Sequence, residues 1–229
     1  MTRGMTVALV GADGAGKSTL TGLLRSADLP RPVRTIYMGV NLEASSLMLP
    51  TTRALLLARR ARGHRPDLVA SRLTPATDEG SGNWRRGAKD AARMSVWALE
   101  EWLREAVAGW YTAAGNIVVF DRHFFADYYH SDVTGSGRRR GGAARVHGWM
   151  LQHLYPKPEL VICLDAPADV LYSRKPEATP EWLDQRRRQY LDLAGVVPAF
   201  AVVDATRPVD AVLTEVVDII TDHWKALTA

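Results

Sequence analysis

Eight consecutive residues, Gly11-Ala12-Asp13-Gly14-Ala15-Gly16-Lys17-Ser18, complete a G-x-x-x-x-G-K-[ST] phosphate-binding loop. Glycines let successive backbone N–H groups turn inward around an anion. Lys17 adds positive charge between β- and γ-phosphates, and Ser18 is placed to ligate Mg²⁺. The loop follows the apolar run Val7-Ala8-Leu9-Val10 and precedes a helical stretch at 18–27, whose positive end faces the same phosphates. The expected nucleotide ligands are Gly11, Ala12, Gly14, Ala15, Gly16, Lys17, Ser18 and Thr19. A bound nucleoside triphosphate is the implication.

A second motif is Val118-Val119-Phe120-Asp121-Arg122-His123. Asp121 ends an apolar strand, and ligands of open parallel sheets bind outside such strand ends. Asp121 is therefore expected to face the Mg²⁺ held by Ser18, and Arg122 to project toward an anionic acceptor.

Short apolar runs alternating with helical patterns position these residues, the pattern of a parallel sheet covered by helices. Strands are expected at 5–10, 33–38, 116–120, 159–164 and 199–204. The clearest helix spans 89–114, with Ala92, Val96, Leu99, Leu103, Val107, Trp110 and Ala114 at three- and four-residue spacing. That spacing predicts an apolar face toward the core, with Glu100, Glu101, Arg104 and Glu105 between. Gly115 ends it, and Trp97, Trp102 and Trp110 are read as packing residues. Further helices are expected at 45–62, 181–194 and 208–226, the last entered through Pro208. Residues 63–88, broken by Gly and Pro, read as a flexible loop, and the Gly- and Arg-rich 135–142 as a mobile, anion-friendly segment or a charged surface turn.

Composition narrows the class. The 229 residues suit one α/β domain, at 47% hydrophobic and 24% charged. A net charge of +4, supplied mostly by arginine, suits a polyanionic ligand. No nucleic-acid-binding module is visible, and no run is long and apolar enough for a membrane span. The single cysteine, Cys163, sits in an apolar run; with no secretory pattern ahead of the first strand, a reducing cytoplasm is expected.

The two motifs together resemble the thymidylate kinase family: a G-x-[DE]-G-x-G-K-[ST] loop, then Asp-Arg-His after a buried strand about a hundred residues later. The stretch Leu164-Asp165-Ala166-Pro167 through Arg174-Lys175 resembles that family's approach to its lid. Arg186-Arg187-Arg188-Gln189-Tyr190-Leu191 resembles the helix leaving it, and Val203-Asp204-Ala205-Thr206 the final strand and adenine-side loop. The resemblance implies a P-loop NTPase three-layer α/β sandwich, with a mainly parallel five-stranded sheet and a helical lid at about 174–188. It implies one kinase domain over 1–229, using ATP and Mg²⁺ and phosphorylating a nucleoside monophosphate, and a homodimer with the 89–114 helix as one contact. By the same resemblance Asp13 contacts the acceptor's sugar hydroxyl, Asp121 is the metal-side carboxylate and Arg122 holds the acceptor phosphate. Arg174 and Thr206 lie near adenine, and one or more of Arg186, Arg187 and Arg188 reach the transferring group. The expected catalytic set is Lys17, Asp13, Asp121, Arg122 and Arg174.

Two places depart from the family. Where it carries an arginine-bearing segment after the second strand, this chain reads Tyr37-Met38-Gly39-Val40-Asn41-Leu42-Glu43; ahead of Asp-Arg it reads Trp97-Ala98-Leu99-Glu100-Glu101-Trp102. Both fall on the acceptor side. They leave open a hydroxyl acceptor on a nucleoside, sugar or natural product, with Asp13 or Asp121 as general base, and a nucleotide-dependent switch or sensor ATPase.

Overall fold

Valine, isoleucine and leucine dominate five short runs, and all five form strands of one parallel sheet. In this computed structural model, which describes residues 3–38, 47, 53, 84–134 and 142–229, they are β1 (Met5–Val10), β2 (Val33–Tyr37), β3 (Ile117–Asp121), β4 (Leu160–Asp165) and β5 (Phe200–Asp204). Their order is β2-β3-β1-β4-β5, and every pairing is parallel. β3 and β4 each run one residue later than the sequence pattern suggests, ending on Asp121 and Asp165. Met38 N–H donates to the Asp121 carbonyl at 3.2 Å and Ala205 N–H to that of Asp165 at 2.8 Å, so the ladder carries both carboxylates to the sheet edge.

Helices cover both faces. On one side α1 (Lys17–Leu24), α5 (Ala168–Arg174), α6 (Pro180–Leu191) and α7 (Val209–Thr228) enclose a core built on Leu9, Leu20, Leu164, Leu171, Val216 and Ile220. On the other lie α2 (Trp84–Ala113), α3 (Phe124–Tyr129) and α4 (Gly142–His153), around Val118, Phe120, Phe124, Phe125 and Leu151. A π-helical turn, His130–Thr134, follows α3, and a 3₁₀ turn, Asp192–Gly195, follows α6. The expected helix at 181–194 thus ends three residues early. The one at 18–27 also stops early, at Leu24, where Arg25 and Ser26 N–H groups bond back three residues.

Two expectations need correcting. Residues 84–88 belong to α2 rather than to a loop; residues 63–83, the expected helix at 45–62 apart from Leu47 and Arg53, and 135–141 lie outside the described residues. More consequentially, α2 faces the opposite way from its apolar stripe. Trp110 is 67% exposed and Leu99 60%, whereas Glu100 and Arg104 are each 1% exposed and Glu101 and Glu105 are buried. The charged residues pair among themselves and with inward-pointing partners. Arg104 donates to Glu100 at 2.9 Å, and Glu101 accepts from the Tyr155 hydroxyl at 2.8 Å. A buried polar network satisfied in this way is tolerated; one deprived of a member is not.

Removing the cation of that buried pair is expected to be costly. Arg104→Leu should lower stability by about 3–5 kcal/mol in urea unfolding, where a solvated arginine would give less than about 0.5 kcal/mol.

Candidate functional site

The phosphate loop leaves β1 against the ends of β4 and α5. Gly11 has φ 144° and Gly14 φ 90°, a region that side chains rarely adopt. A Cβ on Gly11 would lie 2.5 Å from the Leu164 carbonyl oxygen, and one on Gly14 2.5 Å from that of Leu171. The cradle is therefore pinned by backbone. Ala15 N–H closes the turn on the Ala12 carbonyl at 3.2 Å, and α1 begins at Lys17, with Ser18 and Thr19 exposed in its first turn.

Lys17 is buried and folds back into its own loop. Nζ donates to the carbonyls of Gly11 at 2.6 Å and Ala12 at 2.9 Å. Burial, and then the neighbouring Arg122 cation, pushes its pKa down to about 8. An anion entering the loop reverses that balance by supplying the missing countercharge.

Asp13 and Arg122 meet across the sheet edge in an ion pair. Burial works against the Asp13 charge, but Arg122 and Lys17 outweigh it and hold the carboxyl below its ordinary value. Arg122 has φ 63°, the one non-glycine residue with positive φ among those described. That left-handed turn costs on the order of 1–2 kcal/mol. It lets Arg122 reach the loop while the next residue, His123, caps α3, and backbone strain of this kind concentrates at functional sites. Burial opposes the Arg122 charge, but Asp127 and Asp13 raise its pKa.

Strand alternation puts Asp121 on the same face as Ile117 and Val119, the face of α1. There it contributes to the field at Lys17. Its Oδ1 is buried with no hydrogen-bond partner among the described residues. His123 has a structural role, its Nδ1 accepting from the Phe125 N–H at 3.2 Å to cap α3.

Of the three candidate arginines on α6, only Arg186 turns inward. It donates to Tyr190 Oη at 2.8 Å and to Asp127 Oδ1 at 3.4 Å, and Tyr190 donates to the same oxygen at 2.6 Å. Arg187 makes a bidentate pair with Asp165 at 2.5 and 2.8 Å, and Arg188 is exposed beside Asp184. Arg174 ends α5 and donates to the Ala205 carbonyl at 2.8 Å. Thr206 closes on Asp204 Oδ1 through its N–H at 2.9 Å and its hydroxyl at 2.6 Å.

A cavity of about 460 Å³ opens between the loop, α5 and the start of α7. Among the described residues, Lys17, Arg122, Arg174, Lys175 and Arg207 line it, against Asp13 as the one carboxylate. Lys175, Arg207, Tyr37 and Asp127 are site residues that the sequence reading does not single out. Asp127 carried a usable signal, since it stands one helical turn after His123. Tyr37 is found only through pairing, because its register partner is Asp121.

No protein-family model matches this chain, and no curated protein matches its sequence. Among solved structures, thymidylate kinase from Candida albicans superposes with a TM-score of 0.62 over 95% of this chain and 91% of that one, at 17% sequence identity. The fold is thymidylate kinase-like. That structure was described as revealing the origin of broad substrate specificity and a novel structural element. A nucleotide kinase-like architecture thus underlies the cavity, and the loop, Asp121-Arg122 and α6 stand around one sheet edge.

Lys17 gives a pH signature. Its pKa lies at about 8 in the fold against 10.5 ordinarily, so between those values the unfolded chain holds a proton that the folded one releases. Below that window the full cost of burying the charge is present; as pH rises through it, the cost disappears. The native protein should therefore gain stability relative to Lys17→Met as pH rises, by on the order of 1 kcal/mol per unit, read from urea unfolding at a series of pH values.

Proposed function

We propose that this protein is an ATP- and Mg²⁺-dependent phosphotransferase, a single domain over 1–229 that moves the γ-phosphoryl group to a small acceptor. The observation that carries this reading is the cationic cavity behind the loop, which places Lys17, Arg122 and Arg174 around the space a triphosphate needs. Loop N–H groups and Lys17 hold the β- and γ-phosphates, while Arg174, Lys175 and Arg207 line the outer part of the same space. Thr206 belongs to the adenine-side loop.

The residues present fit a magnesium ion. Asp121 offers a buried, unpartnered carboxylate oxygen on the α1 face, and Ser18 sits in the first turn of that helix. An ion carried by phosphates needs only one or two protein ligands. When bound, the ion would neutralise charge developing on the β- and γ-oxygens.

Asp13 and Arg122 stand on the acceptor side of the loop. Catalysis of this kind is chiefly positioning and electrostatic stabilisation, and the two residues orient each other through their ion pair. Arg186, the arginine of α6 that turns inward onto Asp127 and Tyr190, is the residue of the lid at about 174–188 that we assign to the transferring group. The resemblance to thymidylate kinases makes a nucleoside monophosphate the first acceptor to test.

We also propose a homodimer in the cytoplasm. On α2, Leu99, Trp102, Leu103 and Trp110 are exposed, as are Val146 and Trp149 on α4. Exposed apolar side chains at helical spacing, as at Leu99 and Leu103, suit an interface. The buried Cys163, its thiol pushed up to about 12 by burial and Asp165, is unreactive and fits a reducing compartment.

Two measurements check these readings. ADP release from Mg-ATP with a supplied acceptor should fall about 10²–10³-fold in Asp121→Asn, with a higher Mg²⁺ requirement; unchanged turnover removes Asp121 from the metal side. Light scattering should give a dimer that Leu103→Glu converts to a monomer, and a monomeric native protein ends the dimer proposal.

A further inference from the structure

Helix α3 carries one carboxylate, Asp127, and it is buried. Its N–H donates to the His123 carbonyl at 2.9 Å, in the turn that the His123 side chain caps. Asp127 is thus tied through one turn of backbone to the left-handed residue Arg122.

The Asp127 side chain meets α6. Tyr190 Oη donates to Asp127 Oδ1 at 2.6 Å, and Arg186 Nη2 reaches the same oxygen at 3.4 Å. Arg186 Nη1 donates to the Asp127 carbonyl at 3.3 Å, and Nη2 to Tyr190 Oη at 2.8 Å. The guanidinium also lies 4.8 Å from the centre of the Tyr190 ring. All three residues are buried.

Helix α6 does not need this cluster to stay on the sheet. Leu183 is fully buried in the core, and Arg187 makes its bidentate pair with Asp165. A buried ion pair adds little net stability, because desolvation offsets most of its attraction. What the cluster fixes is the direction of the one α6 arginine that turns inward. The same carboxylate acts on the β3 turn. Burial opposes the Arg122 charge, and Asp127, ahead of Asp13, works to keep it. Asp127 stands outside the lining of the nucleotide cavity, so its influence runs through the two arginines.

We infer that Asp127 is a positioning residue, fixing the Arg186 guanidinium of α6 relative to the Arg122 turn so that both meet the transferring phosphoryl group at a set spacing. The inference rests on the kinase reading and adds a residue to its machinery. Donors fixed in advance need no rearrangement when charge develops, and that is what the cluster supplies.

Calorimetry of Mg-ADP binding, with and without aluminium fluoride, separates positioning from folding. The fluoride complex is a planar mimic of the phosphoryl group in transfer. Titrations use the full-length protein, in the presence and absence of thymidylate. In the native protein the fluoride should tighten Mg-ADP binding by at least about tenfold. Asp127→Asn keeps an oxygen for Tyr190 but removes the charge; it should lose most of that gain, with affinity for Mg-ADP alone unchanged. Tyr190→Phe removes one donor and should lose about three- to fivefold. Should Asp127→Asn not fold, Tyr190→Phe decides alone. A loss shared equally with and without fluoride makes the cluster purely structural, and variants keeping the whole gain show that Arg186 is placed without it; either result overturns the inference. A native protein that binds Mg-ADP but gains nothing from fluoride overturns it too, leaving nucleotide binding standing. Absence of Mg-ADP binding overturns the kinase reading itself, and this inference with it.

Discussion

The contact between Asp13 and Arg122 joins the two halves of the site. Asp13 belongs to the loop after β1, Arg122 to the turn after β3, and 108 residues of chain separate them in sequence. Parallel pairing of Leu9 with Asp121 brings the two turns together, and the left-handed backbone at Arg122 aims its guanidinium back at the loop. The surrounding charges are read against this pair: Lys17 is depressed partly by Arg122, Asp13 is held ionised by it, and Asp127 holds Arg122 charged in turn. A ligand bridging the loop and the acceptor side enters a field already balanced around one ion pair.

That field is asymmetric by construction. The cavity under α5 and α7 gathers lysine and arginine from the turns after β1, β3 and β5 and from the end of α5, which meet at one edge of the sheet. The opposite wall comes mainly from α2, α3 and α4, whose buried carboxylates are neutralised locally by Arg104, Arg186 and His147. Buried ion pairs contribute little net stability, since desolvation offsets most of their attraction. Here they tie α2, α4, α6 and the turn after α3 around the space in front of Arg122, so the wall keeps its shape at small net energetic gain.

Helix α2 shows why periodicity alone misleads. Its three- and four-residue spacing fits a helix, and the helix is there, yet the stripe that should seek the core is exposed. An amphipathic pattern records two faces and carries no label for which one is inside. Where a polar face can satisfy itself, as Glu100 with Arg104 and Glu101 with Tyr155 and His147 do, burial of that face becomes affordable and the apolar face is left for another surface.

The phosphate loop, the Asp-Arg pair, the five strands and most helix positions were legible in the sequence, because each depends on local rules. Glycine at positive φ, β-branched runs buried on both sides and three- to four-residue helical spacing all act within a dozen residues. Tertiary structure alone decided the rest. It turned Arg186 inward onto Asp127 and Tyr190, while Arg187 is taken by Asp165 and Arg188 stays exposed. It brought Tyr37 beside Asp121 through strand register, and gathered Lys175 and Arg207 into the cavity from loops 32 residues apart. It also inverted α2, because the energy of a buried charge depends on partners from other elements, which no local pattern encodes.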